Sequence, residues 1–149
     1  MNRFSIVAGP LVLAIAVSAA CSLMGPPSAM MPASVGKFKR DAYREGKTPS
    51  TTRHEAQYLS PDGTMVQIEV TVYPNAADAR SAFDMENRNV AGEKDPGIKR
   101  SSEGNKAISE STVGEKYTHI VWVNDTWYCY VRSDNGAAAR EFIAGLSYK

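Results

Sequence analysis

Alternation of apolar and polar residues over positions 64–73 constrains the fold of this chain more than any other feature. Four β-branched residues occupy every second position: Val66, Ile68, Val70 and Val72. Period two with β-branched side chains is typical of a half-buried β-strand. Residues 60–63, Ser-Pro-Asp-Gly, have turn chemistry, so we expect a hairpin with a partner strand over residues 53–59.

The rest of the chain predicts more strands and two helices. Pro74 lacks a backbone N–H and ends the strand over residues 64–73. Asn75 is then expected to cap a helix that runs to about Asn89, with Gly92 as the residue that prevents its continuation. We expect further strands over residues 106–113, 117–123 and 126–132, and a last helix over residues 137–146. Residues 91–106 are expected to form a long exposed loop, with a short strand near Ile98 as the alternative. This order predicts an α+β fold, an antiparallel sheet with two helices packed on one face.

Residues 71–83 and 131–143 follow the same plan, sixty positions apart. In each, a strand end is followed by Asn and an alanine-rich segment, 77–80 in one and 137–140 in the other. A duplicated strand-strand-helix unit and a chance similarity between alanine-rich helices both explain this. The element order and the run over residues 73–83 resemble small uncharacterised families of bacterial envelope proteins, and that resemblance implies no catalytic motif.

The N-terminus has the features of a secretory signal: Arg3, an apolar run over residues 4–17, and small residues before Cys21. The run Val-Ser-Ala-Ala-Cys at 17–21 resembles the lipobox of bacterial lipoproteins. The resemblance implies that Cys21 is lipidated and becomes the new N-terminus, with enough acyl chains for stable anchoring. In a Gram-negative envelope, Ser22 implies sorting to the outer membrane, on its periplasmic side. An uncleaved anchor helix and a secreted protein cut near Ala20 are the alternatives.

The predicted organisation is a signal peptide over residues 1–20, the lipidated cysteine and a Pro-rich tether over 21–35, and one α+β domain over 36–149. Cleavage of the signal peptide would remove Arg3 and leave 16 basic and 16 acidic residues. This charge balance does not favour nucleic acid as a partner. Residues 37–47 are rich in Lys and Arg. If this segment is helical, its basic face could touch anionic lipid, and the alternative is a solvated face.

Few residues suggest catalysis. His54 and His119 have no Cys or His at ligand spacing, so we expect no metal site, and no glycine-rich phosphate or dinucleotide loop is present, so we expect no cofactor. Cys129 is expected to be a buried apolar residue. A small envelope enzyme with a site near His119 and Cys129 is the catalytic alternative.

Aromatic residues concentrate in residues 117–130. Alternation along the last strand places Tyr128, Tyr130 and Arg132 on one face, as a candidate binding platform for an envelope protein or a glycan. The alternative is that these rings only stabilise the sheet through cross-strand contacts. The sequence therefore predicts a lipid-anchored envelope protein whose domain acts by binding and not by catalysis. An assembly or structural lipoprotein, in which this face meets a larger complex, is a further alternative.

Overall fold

The computed structural model describes residues 30–92, 98–103, 105–111 and 116–147. Its strands are β1 Ser34–Val35, β2 Phe38–Lys47, β3 Thr52–Leu59, β4 Met65–Val72, β5 Ile98–Glu103, β6 Lys106–Ser111, β7 Thr118–Asn124 and β8 Trp127–Ser133. Its helices are α1 Ala76–Gly92 and α2 Gly136–Gly145. Neither described helix combines the length and the apolar character needed to span a bilayer. The predicted signal peptide, Cys21 and the first part of the predicted tether lie outside the described residues.

All the described strands join one antiparallel sheet in the order β1-β2-β3-β4-β8-β7-β6-β5. Two meanders, β1 to β4 and β5 to β8, meet at the central pair β4 and β8, where Val70 lies opposite Cys129. The α+β class and the antiparallel sheet are confirmed. The segment near Ile98 is a strand, β5, because it pairs with β6 along its whole length.

The turn between β3 and β4 has the chemistry expected of its sequence. The Ser60 amide donates to the Thr64 carbonyl oxygen over 3.0 Å, and Gly63 has a φ of +82°, which costs glycine no steric strain. The Asp62 carboxylate accepts hydrogen bonds from the Ser60 hydroxyl and the Thr64 amide, and these lower the pKa of Asp62 to about 2. The turn therefore sets the register of the predicted hairpin.

Both helices begin at an asparagine cap, which the sequence predicts for Asn75. The Asn75 side chain accepts from the Asp78 amide over 2.9 Å, and the Asn135 side chain accepts from the Ala138 amide over 3.1 Å. Each bond satisfies one of the amides that a helix N-terminus leaves without an intrahelical acceptor.

The two helices cover opposite faces of the sheet. In α1, Ala79 and Phe83 pack against Val121 and Val123. On the other face, Phe142 of α2 belongs to the larger cluster of buried residues, which we call the main core. The main core contains Ile120 and Trp122, which alternate with Val121 and Val123 along β7, together with Cys129 and Val131 of β8. Successive residues of a strand point to opposite faces. The predicted packing of both helices on one face is therefore not confirmed, and β7 is buried on both sides.

The structure does not confirm the duplicated unit either. In the first unit, β3, β4 and α1 follow one another, and in the second, β7, β8 and α2 do so. β4 and β8 are antiparallel neighbours, with β3 and β7 on their outer sides. A two-fold rotation about an axis perpendicular to the sheet therefore superimposes one hairpin on the other, and this rotation leaves each face of the sheet on its own side. A repeated unit would then place both helices on the same face. Their opposite placement gives the two units opposite hands.

The folded domain begins before residue 36. Met30, Met31 and Val35 are buried in the main core, and the Tyr58 hydroxyl donates to the Pro32 carbonyl oxygen over 2.9 Å. The last residues of the predicted tether therefore belong to the domain. Their proline content concealed this, because it indicates an extended chain whether or not that chain is packed.

The basic segment over residues 37–47 is a strand and not a helix. β2 pairs with β3 along its length, with a bulge between Arg40 and Ala42, and its residues from Asp41 onward are exposed. A helical basic face is therefore absent here. Side chains of β2 point alternately to the two sides of the sheet, so its cations are divided between two surfaces.

Candidate functional site

The two faces of the sheet, named here after their helices, differ in how much of them is covered. The α2 face carries the main core, which includes Phe38, Val70, Cys129 and Phe142. On the α1 face, helix α1 covers part of β7 and β8, through contacts of Ala79 and Phe83 with Val121 and Val123. The same face over β2, β3 and β4 carries polar side chains and lies beside that covered part. The open half of the α1 face is therefore available for contacts.

A groove of about 550 Å³ lies on this open half. We call it the polar groove, and its polar lining residues are Arg44, Arg53, Glu55, Gln57, Gln67, Glu69, Tyr130 and Arg132. The volume lies within the range of small-ligand sites, roughly 300–1,000 Å³. Such sites are mostly apolar, whereas in this groove charged and amide side chains line the wall beside Ala42, Tyr43, Ala56 and Ile68, which favours a ligand with polar groups.

A ladder of ion pairs runs across the groove. Glu55 on β3 lies directly opposite Glu69 on β4, and the Arg53 guanidinium bridges them with a nitrogen 2.6 Å from each carboxylate. Arg44 on β2 lies opposite Glu55 and donates to its carboxylate through Nε. Two like charges in directly opposite positions would repel, and the bridging cation offsets this. The ladder therefore places two guanidiniums on either side of a single carboxylate.

The arginines of the ladder are more exposed than the carboxylates. The side chains of Arg44 and Arg53 are 80% and 54% exposed, against 19% for Glu55 and 24% for Glu69. Each guanidinium has five N–H donors. Within the described part of the chain, Arg44 uses one nitrogen and Arg53 uses one nitrogen in these bonds. The groove therefore presents cationic donors to solvent above half-buried carboxylates.

Two side-chain amides extend this polar surface. Gln57 and Gln67 lie directly opposite each other in the pairing of β3 and β4, two residues along from the glutamate pair. Neither amide makes a side-chain hydrogen bond to the residues that the structure describes. Each offers two donors and one acceptor oxygen.

The far end of the groove contains two of the residues predicted from the sequence, Tyr130 and Arg132. The Tyr130 hydroxyl is 2.8 Å from Nδ1 of His119, and the Arg132 guanidinium lies 3.7 Å from the centre of the Tyr117 ring. Burial raises the pKa of Tyr130, so its hydroxyl keeps its proton at neutral pH. These contacts fix both side chains at the rim where β8 meets the groove.

Tyr128, the third predicted binding residue, does not line the groove. It shares the face of Tyr130, but it packs against the α1 cluster that includes Phe83. Burial raises the pKa of Tyr128 as well. The predicted tyrosine platform is therefore divided, because Tyr130 and Arg132 reach the groove and Tyr128 supports the helix.

The two residues named in the catalytic alternative, His119 and Cys129, do not lie together in the structure. His119 lies opposite Arg132, on the α1 face, whereas Cys129 is fully buried in the core of the α2 face. Burial also raises the pKa of the Cys129 thiol, which opposes formation of the nucleophilic thiolate. Their side chains are separated by the sheet itself and cannot share a substrate.

His54 is a separate buried histidine on the α2 face. Its Nδ1 is 2.9 Å from the Tyr43 hydroxyl and 3.6 Å from a Glu45 carboxylate oxygen. Burial lowers the pKa of His54, with Lys47 acting in the same direction and Glu45 opposing both. The described ranges contain no group of three or more His, Cys, Asp and Glu side chains arranged to bind a metal.

Sequence reasoning missed Arg44, Arg53, Glu55 and Glu69 as a group. The alternation along β3 and β4 did identify one polar side for each strand, but polar positions on a strand are expected at any solvated face. Only the register, which places Glu55 opposite both Arg44 and Glu69, reveals that these residues form one charged surface.

Over the described residues, the fold and the groove together define an α+β domain with one helix on each side of an antiparallel sheet and an open, charged half-face. No protein-family model, curated protein or solved structure matches this chain.

Proposed function

We propose that this protein is a lipid-anchored protein of a bacterial envelope and that its domain works by binding a ligand in the polar groove. The observation that carries the binding role is the groove itself, about 550 Å³ in volume and lined by charged and amide side chains. The support for the anchor is the sequence Val-Ser-Ala-Ala-Cys at 17–21 with the apolar run before it.

The burial of Met30, the first residue that the structure describes, supports a domain held near the membrane. Met30 is buried in the core, so residues 22–29 separate it from Cys21. The nine steps from Cys21 to Met30 span at most about 32 Å even when the chain is fully extended. A lipid on Cys21 would therefore keep the domain within roughly one domain diameter of the bilayer.

The groove and the first described residues, Met30 and Met31, lie on opposite sides of the sheet. Met30 and Met31 pack in the core of the α2 face, whereas Arg44, Glu55 and Glu69 line the groove on the α1 face. A tether attached on one side leaves the other side accessible. This arrangement supports a groove that meets ligands in the space next to the membrane and not the membrane surface itself.

Binding explains the groove better than catalysis does. Its two carboxylates are both held in ion pairs with Arg53, and burial moves the pKa of Tyr130 further above neutral pH. General acid or base catalysis needs a group whose pKa lies near the working pH and whose proton is within reach of the substrate. Paired charges and amides suit recognition, since they offer fixed donors and acceptors at defined positions.

The anchor is tested by growing cells that express the protein with an alkyne fatty acid and isolating their membranes. We expect labelled wild-type protein in the membrane fraction and neither label nor membrane association for Cys21→Ala. Cys129→Ala is the matched control and should be labelled as the wild type is. Label on Cys21→Ala, or its absence from the wild type, would contradict the lipid anchor.

The binding role is tested by mild crosslinking in the native envelope, followed by purification of the protein with its bound material. The groove variant is Arg44→Gln with Arg53→Gln, and the matched control is Arg80→Gln with Arg88→Gln on exposed positions of α1. We expect material crosslinked to the wild type and the control but lost from the groove variant. An empty capture, or one that the groove variant leaves unchanged, would remove the groove from the proposal.

A further inference from the structure

We infer that the ligand of the polar groove is an acidic saccharide whose carboxylate or phosphate group binds between Arg44 and Arg53. This inference rests on the proposed binding function and names the chemistry of the ligand. It is carried by the geometry of four side chains, Arg44, Arg53, Gln57 and Gln67, above the pair Glu55 and Glu69.

The two guanidiniums are close together and oriented by a common partner. Both contact the carboxylate of Glu55, Arg44 through Nε and Arg53 through a terminal nitrogen. Arg53 is also held by Glu69 at 2.6 Å. Because the described residues occupy only one nitrogen of each, the remaining donors are available to an oxyanion. Guanidinium groups bind carboxylate and phosphate through paired N–H donors, which gives both strength and direction.

Exposure explains why an anion, and not a cation, is expected. The two carboxylates are about one-fifth to one-quarter exposed and already neutralised by arginine. The arginines are more than half exposed. A cation would have to displace Arg53 from two carboxylates, whereas an anion meets donors that are already turned to solvent. The net charge of the mature chain is close to zero, so this attraction is local to the groove.

The remaining lining favours a saccharide over a peptide. Extended peptides bind sheets by adding to an edge, where backbone N–H and C=O groups are available. The groove lies on a face, so its central strands β3 and β4 have their backbone groups paired with neighbouring strands. What the face offers is the opposed amides of Gln57 and Gln67 and the side chain of Tyr130. Amides that can both donate and accept suit sugar hydroxyls, which do the same.

The test is calorimetric titration of the mature full-length protein in detergent at low salt. The acidic probes are tetragalacturonate, which carries carboxylates, and glucose 1-phosphate, which carries a phosphate. The neutral control is fully methyl-esterified tetragalacturonate, which has the same backbone without the charge. We expect an acidic probe to bind and the methyl ester to bind at least about tenfold more weakly, since hydrogen bonds to charged groups exceed neutral ones by this order. Comparison of the two acidic probes identifies the preferred oxyanion.

Variants assign the binding to the groove. Arg44→Gln with Arg53→Gln should weaken binding of the acidic probe at least about tenfold, and Arg80→Gln with Arg88→Gln should leave it unchanged. Because loss of both arginines leaves Glu55 and Glu69 opposed, Gln57→Ala with Gln67→Ala serves as a second variant that keeps the ion pairs. This variant should bind tetragalacturonate more weakly than the wild type does, and it should not bind the methyl ester more tightly.

Three results would overturn the inference: no binding of either acidic probe at millimolar concentration, equal binding of the ester, or acidic binding that neither groove variant weakens. If crosslinking in the envelope still yields groove-dependent material while these probes fail, the saccharide inference is refuted and the binding function stands. If that capture also fails, the binding function is refuted with it.

Discussion

Removal of the Phe142 ring should be among the most destabilising single changes in this domain. The side chain is fully buried at the centre of the α2 face, with its ring centre 5.6 Å from that of Phe38 and 4.8 Å from that of Tyr58. Replacement of a buried Phe by Ala lowers the free energy of unfolding by about 3–5 kcal/mol. Both neighbouring rings are themselves fully buried and cannot easily collapse into the space, so we expect Phe142→Ala to lie in the upper half of that range.

The assay is urea unfolding followed by tryptophan fluorescence, because Trp122 lies in the same core. With a slope of about 2 kcal/mol per molar urea, the loss corresponds to a fall of about 2 M in the midpoint. Phe142→Leu retains most of the apolar volume and should lose about 1 kcal/mol. Met85→Ala, at a side chain that is 55% exposed, is the control and should stay within about 0.5 kcal/mol. A loss below about 1.5 kcal/mol for Phe142→Ala would refute the docking of α2 on this face.

Three further predictions concern individual groups. Burial lowers the pKa of His54, so the unfolded chain binds a proton at this residue more readily than the folded chain, and stability should fall as the pH drops below about 6.5. The difference in unfolding free energy between wild type and His54→Asn should therefore be smaller at pH 5.5 than at pH 7.5. A difference that stays constant would contradict this. Asn135→Ala should cost about 1 kcal/mol through loss of the cap on α2, with Asp134→Ala near zero as its control, and equal urea midpoints for the two variants would contradict the cap. Cys129 should react with iodoacetamide far more slowly in the native protein than in urea, and rapid native labelling, measured by mass spectrometry, would show that its burial is incomplete.

Local signals predicted the elements where periodicity and turn chemistry agreed. The alternation of Val66 to Val72 and the cap Asn75 each depend on residues within one element, and each is present in the structure. The strand β2 was missed because it lacks an apolar period: beyond its short pairing with β1 at Phe38 and Lys39, it pairs with β3 alone and is mostly exposed. A strand at the border of a sheet buries too little to leave an apolar pattern, and its charges are typical of edges that avoid further pairing.

The placement of the helices could have been recognised from one neglected signal. Residues 120–123, Ile-Val-Trp-Val, are apolar without interruption, and all four are buried in the structure. A strand that is covered on one face alternates, whereas a strand covered on both faces is apolar throughout. This run therefore requires cover on both sides of β7, which two helices on a single face cannot supply.

The polar groove exists because α1 covers only half of its face, and this has a consequence for stability. The open half is not stabilised by apolar burial, since its glutamates and arginines are paired with each other across strands and remain partly exposed. Exposed ion pairs contribute little to folding, about 0–1 kcal/mol each. The core that stabilises β3 and β4 lies on their other side, where Ala56, Ile68 and Val70 pack. Substitutions on the groove side should therefore change ligand binding by much more than they change the free energy of unfolding, and this separation is what makes the groove variants informative about function.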